Sequence, residues 1–290
     1  MRYYKTIVLL SFLAISALIF YFLMRMEESE RDKRAALRPI ELPYTWIGNI
    51  SKASIAEPSG ITYHPLRKTL FVVDDGGILH EITSDGVSIK NKDLQGRDLE
   101  GITTNPVTGW LYAVVEGDET ILEISPETLI ISREFKINRT FDGKTLLEKG
   151  GMGVEAIAFV PDPLHVEGGT FWIGNQTFSL KPNDEPSIVC EVEVPLNSSV
   201  AEKAEGTIVR YHKMDFIDIS GLAYDTQSDS LVLISDTTNL LVELKRDGNL
   251  THHYLLPGDD QEGVTLDGLG YMYIAQENGE IIKLADRRLR

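Results

Sequence analysis

Ser59, Glu100, Glu155, Ser220 and Glu262 each stand immediately before a small residue, respectively Gly60, Gly101, Ala156, Gly221 and Gly263, at the start of a short apolar segment. A second set, Asp75, Glu116, Gln176, Asp236 and Glu277, follows at offsets of 16, 16, 21, 16 and 15 residues and closes an aromatic or β-branched run each time. Asp98, Asp218 and Asp260 lie two residues ahead of members of the first set. Carboxylates gathered in one place repel each other, and desolvation makes this worse, so they must be protonated or meet a cation. Carboxylates, hydroxyls and an amide are hard oxygen donors that suit Ca²⁺ or Mg²⁺ better than zinc or copper. The pattern therefore points to a cation site, with Glu100, Glu155 and Glu262 as metal ligands and Ser59, Asp75, Glu116, Gln176, Ser220, Asp236 and Glu277 as surrounding ligand-binding groups. An amine-bearing ligand or a basic peptide meets the same electrostatic demand, and no organic cofactor is called for.

The spacing of these residues says what must position them. The small residues are 41, 55, 65 and 42 residues apart, the period of an array of small β units. Each unit opens with an apolar segment ("GITY", "GITT", "AIAF", "GLAY", "GVTL"), turns, and continues with "LFVVDD", "LYAVVE", "FWIGNQ", "LVLISD" or "MYIAQE". An alternating strand follows ("ILHEIT", "ILEIS", "IVCEVEV", "LLVELK", "IIKLA"), then turn chemistry such as "SDG" or "RDG" and a more polar fourth strand. Four-stranded antiparallel blades of this kind bury their faces by packing around an axis, which predicts an all-β protein, a β-propeller of five blades, with six if the long third interval hides another sheet. The last repeat stops one strand short, and "YTWIGNI" at 44–50 can supply that strand and close the ring. "SSVAEKAEG" at 198–206 reads as one helical turn or an exposed loop.

In a propeller the first strand of each blade lines the channel, and the second runs antiparallel to it, so its end lies beside the first strand's beginning. Both sets of residues are thus expected on one face, around one mouth. Close packing at a narrow axis also demands a small residue, and acids in the preceding loops can simply solvate it or cap backbone groups.

The chain has 290 residues, 28 basic against 44 acidic, for a net charge of −16. Residues 7–24, "IVLLSFLAISALIFYFLM", form an uncharged apolar run of roughly 27 Å at about 1.5 Å per residue, enough to cross a bilayer once. Residues 1–26 read as a retained signal anchor, with a cleaved signal peptide as the competing reading; residues 27–39 read as a charged tether, and 40–290 as the propeller domain. Beyond the anchor 25 basic residues face 44 acids, a balance that repels nucleic acid and anionic lipid surfaces. Arg25, Arg31, Lys33, Arg34 and Arg38 outnumber the basic residues ahead of the run, so the positive-inside rule alone does not place the domain outside.

Cys190 is the only cysteine, which rules out an intramolecular disulfide and a cysteine metal cage. Glu81, Glu123, Glu191 and Glu243 recur in the third strand, where alternation sets them off the axis as contacts between blades or with solvent. The six histidines are scattered over turns and outer strands, an arrangement unsuited to a histidine metal site. There is no "HExxH", no "GxSxG" and no phosphate-cradling glycine loop, so the common hydrolytic and nucleotide-binding machineries are missing.

"EPSGITYHPLRKTLFVVDDGG", "DLEGITTNPVTGWLYAVVEG", "DISGLAYDTQSDSLVLISDTTNLLVELKRDG" and "QEGVTLDGLGYMYIAQENG", behind an N-terminal apolar anchor, resemble the SdiA-regulated (YjiK-like) family over roughly residues 44–285. The resemblance implies a β-propeller held by a single-pass anchor in the bacterial inner membrane, with its domain in the periplasm. It carries little chemistry. A looser likeness to esterase-like phytase and calcium-dependent lactonase propellers, which place acids at the axis, stops at Ala156 and Gln176. Three functions follow as expectations. The first is a membrane-tethered binding propeller whose acidic funnel holds a divalent cation, Ca²⁺ foremost, or a cationic or protein ligand, in recognition or envelope signalling. The others are a metal-dependent hydrolase of esters, lactones or phosphoesters, and a structural interaction module with an inert axis.

Overall fold

The computed structural model describes residues 39–148, 153–181 and 184–289; the expected anchor over 1–26 and nearly all of the tether lie outside the described residues. Glu41–Arg290 form one compact unit. Among the described residues the only helical segment is a single 3₁₀ turn, Arg287–Leu289, and no helix is long and apolar enough to cross a membrane.

Strand β1 is Tyr44–Asn49; β2 to β5 are Pro58–His64, Thr69–Asp74, Ile78–Thr83 and Ser88–Asp93; β6 to β9 are Leu99–Thr104, Leu111–Val115, Thr120–Ile124 and Ile131–Asn138. A short hairpin, β10 (Thr140–Phe141) and β11 (Lys144–Thr145), precedes β12 to β15, which are Val154–Pro161, Gly169–Asn175, Ile188–Glu193 and Lys203–Lys213. Then come β16 to β19 (Ile219–Asp225, Ser230–Ser235, Leu240–Lys245, Leu250–Leu255) and β20 to β22 (Gln261–Leu266, Tyr271–Gln276, Ile281–Asp286). Each consecutive group pairs as an antiparallel meander, and β1 joins β20–β22 as their outer strand, Tyr44 opposite Asp286 and Asn49 opposite Ile282. "YTWIGNI" therefore does close the last unit. The chain is an all-β, propeller-like fold.

The innermost strands meet in a closed series, β2 against β6, β6 against β12, β12 against β16, β16 against β20, and β20 against β2. Apolar clusters fill the space between neighbouring units; Tyr112, Phe159 and Phe171, for instance, form one aromatic cluster between the second and third units, with ring centroids 4.8–6.3 Å apart. The glycines at the strand starts exist because the strands converge there. A Cβ on Gly60 would lie 2.3 Å from the Glu100 carbonyl oxygen, and one on Gly101 would lie 2.7 Å from that of Glu155.

Two features differ from the sequence reading. Lys203–Gly206, expected as a helical turn or loop, are the first residues of β15. They run parallel to β9, Lys203 opposite Glu134 and Thr207 opposite Asn138, so the outer edges of two units merge into one eight-stranded sheet. The pairing satisfies two edges that would otherwise present bare N–H and C=O groups. Second, the long third interval is taken up by loops and by this extended β15, the β10–β11 hairpin lying in the interval before it; among the described residues it holds no further four-stranded sheet.

Candidate functional site: an acidic mouth

Every innermost strand begins with a β-bulge. The pairing slips between Pro58 and Gly60, Leu99 and Ile102, Val154 and Ala156, Ile219 and Gly221, and Gln261 and Gly263. The residue left out of the ladder each time is Ser59, Glu100, Glu155, Ser220 or Glu262, and a bulge re-aims the side chain it carries. A second repeated bond holds the other set alongside. The backbone N–H of Asp75 donates to Glu57 O, that of Glu116 to Asp98 O, Gln176 to Gly153 O, Asp236 to Asp218 O and Glu277 to Asp260 O, at 2.9–3.3 Å.

The carboxylates so placed feel each other. Burial, then Asp75, push the Glu100 carboxyl above its ordinary range; burial, then Glu100, push Glu155 up further, and the two are joined by a hydrogen bond. Glu262 is raised to about 9 by burial, Asp236 and Glu100. Asp75 is raised to about 6 by burial, a hydrogen bond with Ser59 working against it and Glu277, Asp98 and Glu57 with it. Glu116 is raised by burial and by Asp98, and Asp236 by burial, the latter against a hydrogen bond from Gln261 N–H at 2.7 Å. Glu100, Glu155 and Glu262 thus lie around one opening.

Not all the residues play one part. The Ser59 hydroxyl donates to Leu99 O (2.6 Å) and the Ser220 hydroxyl to Gln261 O (2.7 Å), each tying its strand to the next unit. Asp218 accepts from both N–H and hydroxyl of Thr237 and, like Asp260, has a left-handed backbone (φ 59° and 55°), a conformation aspartate tolerates better than most residues. Gln176 is half-buried and Glu277 exposed at the rim. The tightest grouping is Asp98, Glu100 and Glu116, which present oxygens all within 4.8 Å of one another. Oxygens around a calcium ion at roughly 2.3–2.6 Å can stand up to about 5 Å apart, so the three fit a single ion. The sequence places Asp98 only two residues ahead of Glu100, and it is the fold that brings its carboxylate into this grouping.

The third-strand glutamates provide the contrast. Glu81 is paired with Arg67 and Lys90, Glu123 with Arg133, Glu191 with Arg210 and Glu243 with His252, the fourth-strand partner standing directly opposite in each register. Several of these cations reach on to the next unit: Lys90 to the carbonyls of Pro126 and Glu127, Arg133 to those of Leu196 and Ser199. Among the described residues no acid of the mouth has any such cation.

The structure is similar to the crystal structure of Myxococcus xanthus glutaminyl cyclase, with a TM-score of 0.59 and 11% identity over 85% of this chain and 97% of that one. It is more distantly similar to the β-propeller domain of Myceliophteria thermophila Cps50 (Swd1), with a TM-score of 0.47 and 9% identity over 84% and 99%. At these identities the likeness concerns fold alone. No curated protein matches the sequence. The family model described as SdiA-regulated matches residues 48–281, and the chain belongs to the SdiA-regulated family.

Proposed function

We propose that the chain is a five-bladed propeller, tethered to the inner membrane by residues 1–26 with its domain in the periplasm, whose acidic mouth binds a divalent cation. The tether rests on the uncharged run at 7–24, and the five blades on the closed series of innermost strands. The observation that carries the cation reading is the contrast just drawn: buried third-strand glutamates are matched by cations, whereas Glu100 and Glu155, also buried, face other acids. Desolvated like charges call for either protons or a positive guest. Asp98, Glu100 and Glu116 would hold the ion, with Glu155 and Glu262 closing the site and Asp75, Asp236, Gln176 and Glu277 around its rim. Ser59 and Ser220 serve by positioning the strands. The all-oxygen donor set suits Ca²⁺, and a bound ion would present a positive surface to a partner in recognition or envelope signalling.

Titration calorimetry of the full-length chain in detergent at pH 7.5, with CaCl₂ and MgCl₂, tests this. Ca²⁺ binding that weakens at least tenfold in Glu100→Gln and in Glu116→Gln is the expected result. Absence of both binding heat and thermal stabilisation with either ion would overturn the cation site, and a response to spermidine alone would transfer the mouth to organic cations.

A further inference from the structure

The opposite mouth of the channel has a lining of different chemistry. Between the two ends the innermost strands close down on Ile61, Ile102, Ile157, Leu222 and Val264, leaving a space of about 10 Å³, enough for one water at most. Beyond that constriction the channel widens into a cavity of about 150 Å³. That volume accommodates on the order of ten water-sized groups, the bulk of a single sugar ring.

Around the cavity wall a hydroxyl-to-backbone bond joins neighbouring units at two of the five equivalent places, while in the first unit the Thr62 hydroxyl meets that of Thr104 instead (3.4 Å). Innermost strands carry an unpaired edge toward the axis, and its N–H groups need acceptors. The hydroxyl of Thr103 accepts from Phe159 N–H of the next unit (3.0 Å), and that of Thr265 accepts from Tyr63 N–H (2.9 Å). In the corresponding places of the third and fourth units stand Ala158 and Ala223, whose methyls offer nothing to Tyr224 N–H and Leu266 N–H. Tyr224 opposite Leu231 and Leu266 opposite Met272 hold the same register position as Tyr63 opposite Leu70 and Phe159 opposite Phe171. Two neighbouring backbone donors on one side of the cavity therefore have no side chain able to accept from them, unlike those of Phe159 and Tyr63.

The remaining wall narrows the choice of ligand. Asp225 and Asp267 stand at the rim, and among the described residues neither has a cation partner. One oxygen of Asp267 takes the N–H groups of Leu269 (2.8 Å) and Tyr271 (3.0 Å), which leaves the other free to accept. Pro65, Pro106, Pro161 and Leu222 supply apolar surface. An anion is repelled by the two aspartates and the net charge of −16. A cation leaves the backbone donors unanswered. A neutral molecule whose hydroxyls both accept and donate, on a C–H framework, answers all three wall types.

From the missing hydroxyls at Ala158 and Ala223, the free oxygen of Asp267 and the size of the cavity, we infer that this mouth binds a neutral saccharide or polyol unit. Saturation-transfer NMR and calorimetry on the full-length chain, with glucose, N-acetylglucosamine and glycerol as probes and tetramethylammonium as comparison, test the inference. Saccharide binding is expected, weakened at least tenfold by Ala223→Thr, which restores an acceptor and fills space, and by Asp267→Asn, with the response to Ca²⁺ unchanged in both. No binding of any of the three hydroxylated probes, binding indifferent to both substitutions, or preference for tetramethylammonium would each overturn it. Because Asp267→Asn changes a rim residue, a folding defect in Ala223→Thr leaves the test intact.

Discussion

Glu100 and Glu155, bulged residues of adjacent units 55 positions apart, face each other as a hydrogen-bonded pair of buried carboxyls. Their pKa values are raised, as are those of Glu262, to about 9, and Asp75, to about 6. The folded state therefore holds protons that the unfolded state releases above about pH 4.5. Stability from these groups is present in full below that pH and lost as pH rises through the raised values. Urea unfolding in chelator is expected to show the midpoint falling steadily from pH 5 to pH 9, with Ca²⁺ restoring most at the alkaline end. Glu155→Gln, a permanently neutral stand-in for the protonated carboxyl, removes the cost of taking up that proton on folding and is expected to stabilise the chelated protein by at least about 1–3 kcal/mol at pH 8. A midpoint independent of pH over this range contradicts the convergence of acids.

The glycines at the strand starts rank by the room around them. A Cβ would stand 2.3 Å from backbone at Gly60, 2.7 Å at Gly101, 2.8 Å at Gly263 and 3.1 Å at Gly221. The contacts are backbone, which cannot swing aside. Alanine substitutions are expected to destabilise in that order, Gly60→Ala by more than about 3 kcal/mol and Gly221→Ala by about 1 kcal/mol, overpacking of a tight site costing typically 1–3. Chemical denaturation of the four variants checks the order, and equal losses would refute the reading of the small residues as spacers at the axis.

Repetition made most of this fold legible before any coordinates. Five copies of an apolar segment, turn and alternating strand place Glu100, Glu155 and Glu262 at equivalent points, and symmetry does the rest. What repetition could not show was the slip of register before Gly60 and its counterparts. A period of two assigns Glu100 to one face of β6, whereas the bulge turns it to the mouth and brings Asp98 within reach. Nor could it show the junction of β9 with β15, since parallel pairing between outer edges depends on how far neighbouring units splay. The division of labour among the oxygens was equally hidden: nothing in the residue types says that Ser59 and Ser220 donate to backbone while the glutamates of the mouth meet other acids and no cation among the described residues.

The two serines give a direct way to separate support from binding. Each donates a short, buried hydrogen bond to a carbonyl of the next unit. Removing the donor leaves that carbonyl unsatisfied at a cost of about 1–3 kcal/mol. Ser59→Ala and Ser220→Ala are each expected to lower the unfolding free energy by that amount while Ca²⁺ affinity stays within about threefold, a change of less than 1 kcal/mol in binding. Affinity lost in step with a tenfold or greater factor, at unchanged stability, would make the hydroxyls ligands instead.

The brackets between units should be stronger than their surface counterparts because of where their charges sit. Glu123 and Arg133 have side chains only 4% and 15% exposed, and Arg133 continues to the carbonyls of Leu196 and Ser199 at 3.1 and 2.9 Å. Losing Glu123 strands a buried guanidinium, a change that typically costs about 3–5 kcal/mol. Lys203 and Glu134 join the same two units at β9 and β15, but Lys203 is 82% exposed, so water screens the pair and its contribution is below about 1 kcal/mol. Glu123→Gln is therefore expected to lower the melting temperature by several degrees more than Lys203→Gln, and added salt to erase only the smaller effect. Similar shifts for the two, equally sensitive to salt, would mean that Arg133 finds enough water in place of its partner, and that the carbonyl contacts rather than the ion pair hold the second unit to the third.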